Sequence, residues 1–286
     1  MTTLVLAALA MVLAGPVPWA LSRLPSLRRT PRAAMVLWQA VALAAVLAAL
    51  GAGLSFVTAR LDGDLSAAAW ALAAVPLCLT ALVVARLLLS GHRVGTELRG
   101  LRRRHRDLVD LLAEDRDGVR VLDHEAPTAY CLPGLRSRVV VSRGAVTSLS
   151  AVELDAVLAH ERAHLRARHD LVLEAFTVLQ QAFPAVVTSS NALDEVRLLV
   201  EVLADRAARR HYGARPLVSA FGALTSAAPE ATLAASDLGL RARLDLLLDE
   251  RQHRLQAAGM IAAAIGVLVL PTLLVVLPWL SGLRGA

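Results

Sequence analysis

The sequence predicts a mainly α-helical integral membrane protein: four transmembrane helices, with a cytoplasmic α+β domain inserted between the third and the fourth. Three observations predict it. The 286 residues are 56% hydrophobic with a mean hydropathy of +0.57, above the roughly 45–50% apolar content of soluble domains. Aromatic residues make up only 3%, so the apolar character comes mostly from Ala, Leu and Val, which suit membrane helices. Finally, the apolar residues fall into four stretches long enough to cross a bilayer, which takes about 20 residues, and the arginines fall between them.

The first stretch runs over residues 3–21. It lacks a positive leading segment and an arginine cluster follows it, so it reads as a retained helix rather than a signal peptide. The second and third cover 33–58 and 67–89, and the fourth begins at 256. Arg23, Arg28, Arg29 and Arg32 follow the first helix; Arg93, Arg99, Arg102, Arg103, Arg104 and Arg106 follow the third. The loop between the second and third has only Arg60, beside Asp62 and Asp64, and the tail has only Arg284. The positive-inside rule then puts both termini outside the inner (plasma) membrane and the insert in the cytoplasm. The predicted division is 1–90 for three membrane helices, 91–255 for the cytoplasmic domain, and 256–286 for the fourth helix with a short outer tail. Trp19 and Trp38 are expected at the inner interface, Trp70 and Trp279 at the outer one. Pro76 is expected to kink the third helix, and Arg86 to snorkel.

All 30 basic side chains are arginine, the net charge is +6 and the pI is about 10.7. No DNA-reading motif accompanies this charge, so no nucleic-acid partner is expected. The run at 99–106 reads as a juxtamembrane segment facing anionic lipid. Cys78 and Cys131 have no CxxC spacing and read as unpaired small hydrophobes.

Within the insert, Glu97 to Glu114 reads as an amphipathic helix with a basic first half, broken by Asp115 to Gly118. Strand signals follow at Val119–Leu122, Ala129–Leu132 and Arg138–Ser142, with turns at Pro133-Gly134 and Arg143-Gly144, predicting a small, mostly antiparallel sheet. Ser150 with Glu153 three residues on is a capping box, so a helix starts there. Leu154, Val157, Leu158 and Leu165 give it an apolar stripe. Further helices are expected at about 171–183, stopped by Pro184, at about 191–211, and at about 240–255.

The capped helix carries His160-Glu161-Arg162-Ala163-His164. Histidines four apart project from one helical face and can share one Zn²⁺. Glu161, one step around, can serve as general base without being a ligand, because zinc lowers the pKa of a coordinated water towards about 7. Two histidines need a third protein ligand. Glu201 on a later helix is the best candidate, with Asp205 one turn on placed to hold the far nitrogen of a ligand histidine. Asp194 and Glu195 are alternatives without an acidic partner four residues later.

These residues resemble a known group. Tyr130-Cys131-Leu132-Pro133-Gly134, Arg138-Val139-Val140-Val141-Ser142-Arg143-Gly144, the motif helix, His169-Asp170 and Glu201-Val202-Leu203-Ala204-Asp205 look like the gluzincin membrane peptidases. The layout is closest to the BlaR/MecR-type antirepressor metallopeptidases; HtpX-like and prenyl-protease-like enzymes share the motifs but not the helix layout. The resemblance implies a zincin-like cytoplasmic metalloendopeptidase domain with one Zn²⁺, held by His160, His164 and Glu201, and Glu161 as catalytic base. It implies that the strand containing Val139, Val140 and Val141 borders the cleft, where an extended protein substrate could add. A transition-state stabiliser is also implied, for which His211 and Tyr212 are candidates. His169 is expected to interact with the dipole at the end of the motif helix. The partners implied are the bilayer and a protein substrate, with a transcriptional repressor as one candidate. In the antibiotic-sensing members a penicillin-binding domain follows the fourth helix. Here Ser281 to Ala286 stand there, so input through such a domain is not expected.

Overall fold

The structure, a computed structural model, describes residues 2–61, 67–183, 190–226, 230–249, 251 and 253–284. The chain forms α1 (Thr2–Ala14), α2 (Pro16–Ser22), a 3-10 turn (Pro25–Arg29), α3 (Pro31–Leu61) and α4 (Ala67–Leu112). Four strands follow: β1 (Ala113–Arg116), β2 (Val119–Leu122), β3 (Ala129–Leu132) and β4 (Arg138–Ser142). Then come α5 (Arg143–Ser148), α6 (Ala151–Ala167), α7 (His169–Ala182), α8 (Ser190–Tyr212), α9 (Ala214–Ser226), α10 (Glu230–Leu248) and α11 (Arg254–Arg284). Among the described residues, four spans are long and apolar enough to cross a membrane: Thr2–Ser22, Pro31–Phe56, Ala74–Leu112 and Arg254–Leu277. The molecule is thus a mainly helical multi-pass membrane protein carrying a small mixed sheet.

The chain divides into two compact units, Met1–His92 with Phe176–Val196 and His253–Ala286, and Arg93–Ala175 with Arg197–Gln252. The segment 176–196, expected inside the cytoplasmic insert, therefore groups with the membrane helices.

Within the first unit, Gly15 and Pro16 interrupt the first predicted span, because Pro16 at the first turn of α2 has no N–H to continue the ladder of α1. Gly53 of α3 lies against Thr80 of α4: a Cβ there would stand 1.9 Å from Thr80 Oγ1. Close approach over a small residue is a common way for membrane helices to pack. Arg86 Nε donates to Ala182 O at 2.6 Å and Ser90 Oγ to Val178 O at 2.9 Å, tying the end of α7 to α4. Arg86, expected to snorkel, thus satisfies a carbonyl in the last turn of α7. Arg28 binds Glu195 through both guanidinium and carboxylate pairs, which accounts for one of the alternative metal ligands. Trp38 is 3% exposed, packed inside the bundle, whereas Trp19 is half-exposed beneath the Arg23 guanidinium. The Trp70 and Trp279 side chains, the loop acids Asp62 and Asp64, and Pro184 lie outside the described residues.

The second unit is built around the sheet, in the order β1-β2-β4-β3. The predicted break at Asp115–Gly118 is a hairpin turn. Asp117 and Gly118 both have positive φ, 52° and 80°, and Asp115 accepts from the Gly118 N–H at 3.0 Å. This is the backbone of a two-residue primed turn, and it makes Ala113 and Glu114, read as the end of a helix, and Asp115 and Arg116, read as part of the break, into an edge strand. The preceding amphipathic segment continues the third membrane helix as the single 46-residue α4.

The sheet is mixed: β1–β2 and β3–β4 pair antiparallel, and β2–β4 pairs parallel. The reason lies in β4. Val139, Val140 and Val141 are all buried, and a run that is apolar on both faces belongs at the centre of a sheet. Val139 and Val141 pack with Val119, Val121 and Leu158 of α6 on one face, while Val140 packs with Val109 of α4 on the other. Each such side chain contributes roughly 1.5–3 kcal/mol on burial. Arg138 clasps Asp110 of α4 at 3.0 and 3.1 Å. Arg102 reaches Asp170 and Glu174, and Arg106 donates to Pro133 O. These two members of the basic run, expected to face lipid, are used inside the domain. The last predicted helix stops at Leu248, and α11 begins separately at Arg254.

Candidate metal centre

The capping box is present: Glu153 N–H donates to Ser150 Oγ, and Ser150 N–H to Glu153 Oε2 at 2.8 Å. It fixes the start of α6 and hence the direction in which its residues project. Ala156, Val157, Leu158, Ala159, His160 and Ala163 are buried. The helix thus carries its first histidine into the interior, on the side where α8 presents Glu201 and Asp205.

There, three donor atoms converge. His160 Nε2 and His164 Nε2 lie 3.0 Å apart, and Glu201 oxygens stand 3.5 Å and 3.6 Å from them. Tetrahedral ligands at about 2.0–2.1 Å from zinc lie roughly 3.3 Å from one another, so the triad matches the spacing of a zinc site. One atom from each of His160, His164 and Glu201 lies within 4.8 Å of the others. The protonation states of His164 and Glu201 also suit a metal. Burial lowers His164 to about 4, leaving its imidazole neutral. Burial opposes ionisation of Glu201, but His160 and Arg243 outweigh it and hold the carboxyl at about 2. The two imidazoles and one carboxylate would hold Zn²⁺ and leave a fourth position open.

Around the triad, Asp205 is almost fully buried, with Oδ1 2.9 Å from His160 Nδ1. The contact is short but does not reach full hydrogen-bond alignment. On the other side, His164 Nδ1 lies 3.1 Å from Nδ1 of His169. Glu161 is raised above the usual carboxylate range, chiefly by burial, which moves it towards the pKa of an efficient base at neutral pH. Cys131 of β3 lies against it; burial first, then the Glu161 charge, pushes the thiol up to about 12, leaving it protonated and inert.

Sequence reasoning missed one residue, Arg243 of α10. Its Nε and Nη2 donate to Asp205 Oδ2 and Oδ1 at 2.8 and 2.7 Å, and Nη1 lies 3.1 Å from Glu201. Phe221 supports the guanidinium from below at 4.6 Å. In the sequence Arg243 is one of many arginines, and no spacing ties it to the motif.

One expectation needs correction. β4 has partners on both sides, so Val139, Val140 and Val141 cannot take a further strand; the outer strand on this side is β3. Of the stabiliser candidates, His211 is exposed, and Tyr212 packs against the cluster of Ala156, Ala159, Ala208, Leu217 and Leu247. The cation that the fold brings to the triad is Arg243.

Residues 99–228 match the profile of Peptidase family M48. This segment is similar to the M48 zinc metallopeptidases. The match spans the basic part of α4, the sheet, and the helices carrying His160, His164 and Glu201, so the three converging donor residues all fall within it. Comparison with curated proteins and with solved structures gives no match.

Proposed function

We propose that this chain, similar over residues 99–228 to the M48 peptidases, is a membrane-embedded regulatory endopeptidase that cuts a cytoplasmic protein, with a transcriptional repressor as the candidate substrate. The observation that carries the peptidase reading is the convergence of His160, His164 and Glu201. The regulatory reading rests on the BlaR/MecR-like order of three helices, zinc domain and fourth helix, and on the arginine distribution that favours a cytoplasmic domain with both termini outside.

When bound, zinc would supply a Lewis acid and an activated water. The chain's own residues do the rest. Glu161, raised by burial, accepts the proton of the attacking water and returns it to the leaving amine. Asp205 and Arg243 hold His160 and Glu201 in place. An extended substrate is best accommodated along the outer edge of β3, whose Cys131 already lies beside Glu161.

A quality-control protease of the HtpX-like kind would use the same site on many membrane proteins. The test is to compare cleaved proteins in cells carrying wild type or Glu161→Gln. One cut regulator, absent from the variant, is the expected outcome. Many membrane-protein fragments would favour turnover, and identical fragment patterns would remove the peptidase reading. A non-catalytic scaffold would have no use for Glu161.

A further inference from the structure

The short distance between His164 and His169 has a role that neither the motif nor the triad requires. His164 Nε2 faces the convergence point, 3.0 Å from His160 Nε2 and 3.6 Å from Glu201 Oε1. A neutral imidazole carries one proton, so if Nε2 is the ligand atom, the proton sits on Nδ1. That N–H needs an acceptor, which in zinc sites is commonly a carboxylate, a carbonyl or a water. Here Nδ1 of His169 stands 3.1 Å away. To accept, His169 must be the tautomer protonated on Nε2. The rings are nearly perpendicular, at 85°, with centroids 5.0 Å apart.

What brings His169 back onto the motif helix is a local backbone device. Arg168 ends α6 in the left-handed conformation, φ 52° and ψ 42°, and its N–H returns to the carbonyls of His164 and Leu165. A non-glycine residue there is uncommon. The reversal starts α7 at once, so a side chain five positions after His164 meets it, a spacing that an uninterrupted helix would not pair. Arg102 then fixes the first turns of α7 through Asp170 and Glu174. His169 is 6% exposed, which keeps water from standing in for it.

We propose that His169 is the positioning residue for the zinc ligand His164, fixing its tautomer and ring orientation through an imidazole-to-imidazole hydrogen bond set up by the left-handed turn at Arg168. This rests on the zinc reading of the triad. The test is zinc affinity of the full-length protein in detergent, measured by competition with a chromophoric chelator, for wild type, His169→Phe, His169→Asn and His169→Gln. Losing the partner of a ligand histidine typically weakens a site 10–100-fold. His169→Phe, which fills the space without an acceptor, is expected to weaken binding by about that factor. At least one amide variant, whose oxygen can accept, is expected to recover most of it. The metal-free melting temperature of His169→Phe should stay near that of wild type. Wild-type affinity in His169→Phe would overturn the proposal, as would equal losses in all three variants, which would indicate packing alone. A wild-type protein that binds no zinc would instead overturn the reading of the triad, and the role of His169 with it.

Discussion

Arg243 of α10 grips Asp205 of α8 through two charge-assisted hydrogen bonds of 2.8 and 2.7 Å, and Asp205 in turn lies 2.9 Å from the metal ligand His160. The same guanidinium reaches the third ligand, Glu201. One residue from outside the motif thus supports two of the three ligands. Removing it strips the Asp205 carboxylate, with a side chain only 2% exposed, of its guanidinium partner.

Breaking a buried pair from one side costs about 3–5 kcal/mol. Arg243→Ala is therefore expected to lower the melting temperature and to weaken zinc binding together. Arg243→Lys should retain only part of both, because an ammonium cannot reproduce the two-pronged contact. Thermal unfolding with and without a chelator checks this, and an Arg243→Ala protein with unchanged zinc affinity would count against the coupling.

Glu201→Ala is expected to abolish stoichiometric zinc binding, since two imidazoles alone do not close the site. It also strips Arg243 of one of its two acidic partners. Metal analysis of the purified variant decides; a full equivalent of zinc would disprove this ligand.

Glu161→Gln should keep zinc and lose peptide hydrolysis by about 10²–10⁴-fold, the usual weight of a general base. Metal content and cleavage assayed on the same preparation separate the two. Loss of both would show that Glu161 acts on metal binding instead.

Zinc affinity should rise with pH. In the metal-free site burial disfavours the charged form of His160, but Asp205 and Glu201 outweigh it and raise its pKa to about 9. His164, at about 4, is already neutral. Binding near neutrality thus displaces one proton, and affinity should grow about tenfold per pH unit until it flattens above about 9. The sign for folding is the opposite. His160 is raised from its ordinary value of about 6.5, so its contribution to metal-free stability is complete below that pH and is lost as pH rises through about 9. A zinc dissociation constant that does not change between about pH 6 and 8 would rule this out.

Gly144 is a position where only a missing side chain fits. A Cβ there would stand 1.8 Å from the carbonyl oxygen of Glu125, and that neighbour is backbone. Gly144→Ala is expected to destabilise the domain by roughly 1–3 kcal/mol, read as a lower denaturation midpoint; an unchanged midpoint would mean that the 123–128 segment yields freely.

The sequence by itself determined the parts of this protein whose signal is local. Membrane spans follow from run length and hydropathy, the start of α6 from Ser150 and Glu153, and the shared face of His160 and His164 from a spacing of four. Glu201 and Asp205 were legible for the same reason, being one helical turn apart. The edges of β2, β3 and β4 were legible because short, partly apolar runs, β-branched in β4, are bounded by turn residues. Tertiary structure decided whatever depends on which segments meet. It put β4 in the middle of the sheet, because a strand buried on both faces needs two neighbours, and so moved the free edge to β3. It ran the third span on into α4, since nothing between residues 89 and 97 forbids a helix. It chose Arg243 from among 30 arginines. A guanidinium has no periodicity of its own, and only a long-range contact singles it out. His169 lies between the two cases: its neighbour His164 is close in sequence, but the left-handed turn at Arg168 that joins them is a backbone choice which arginine does not announce.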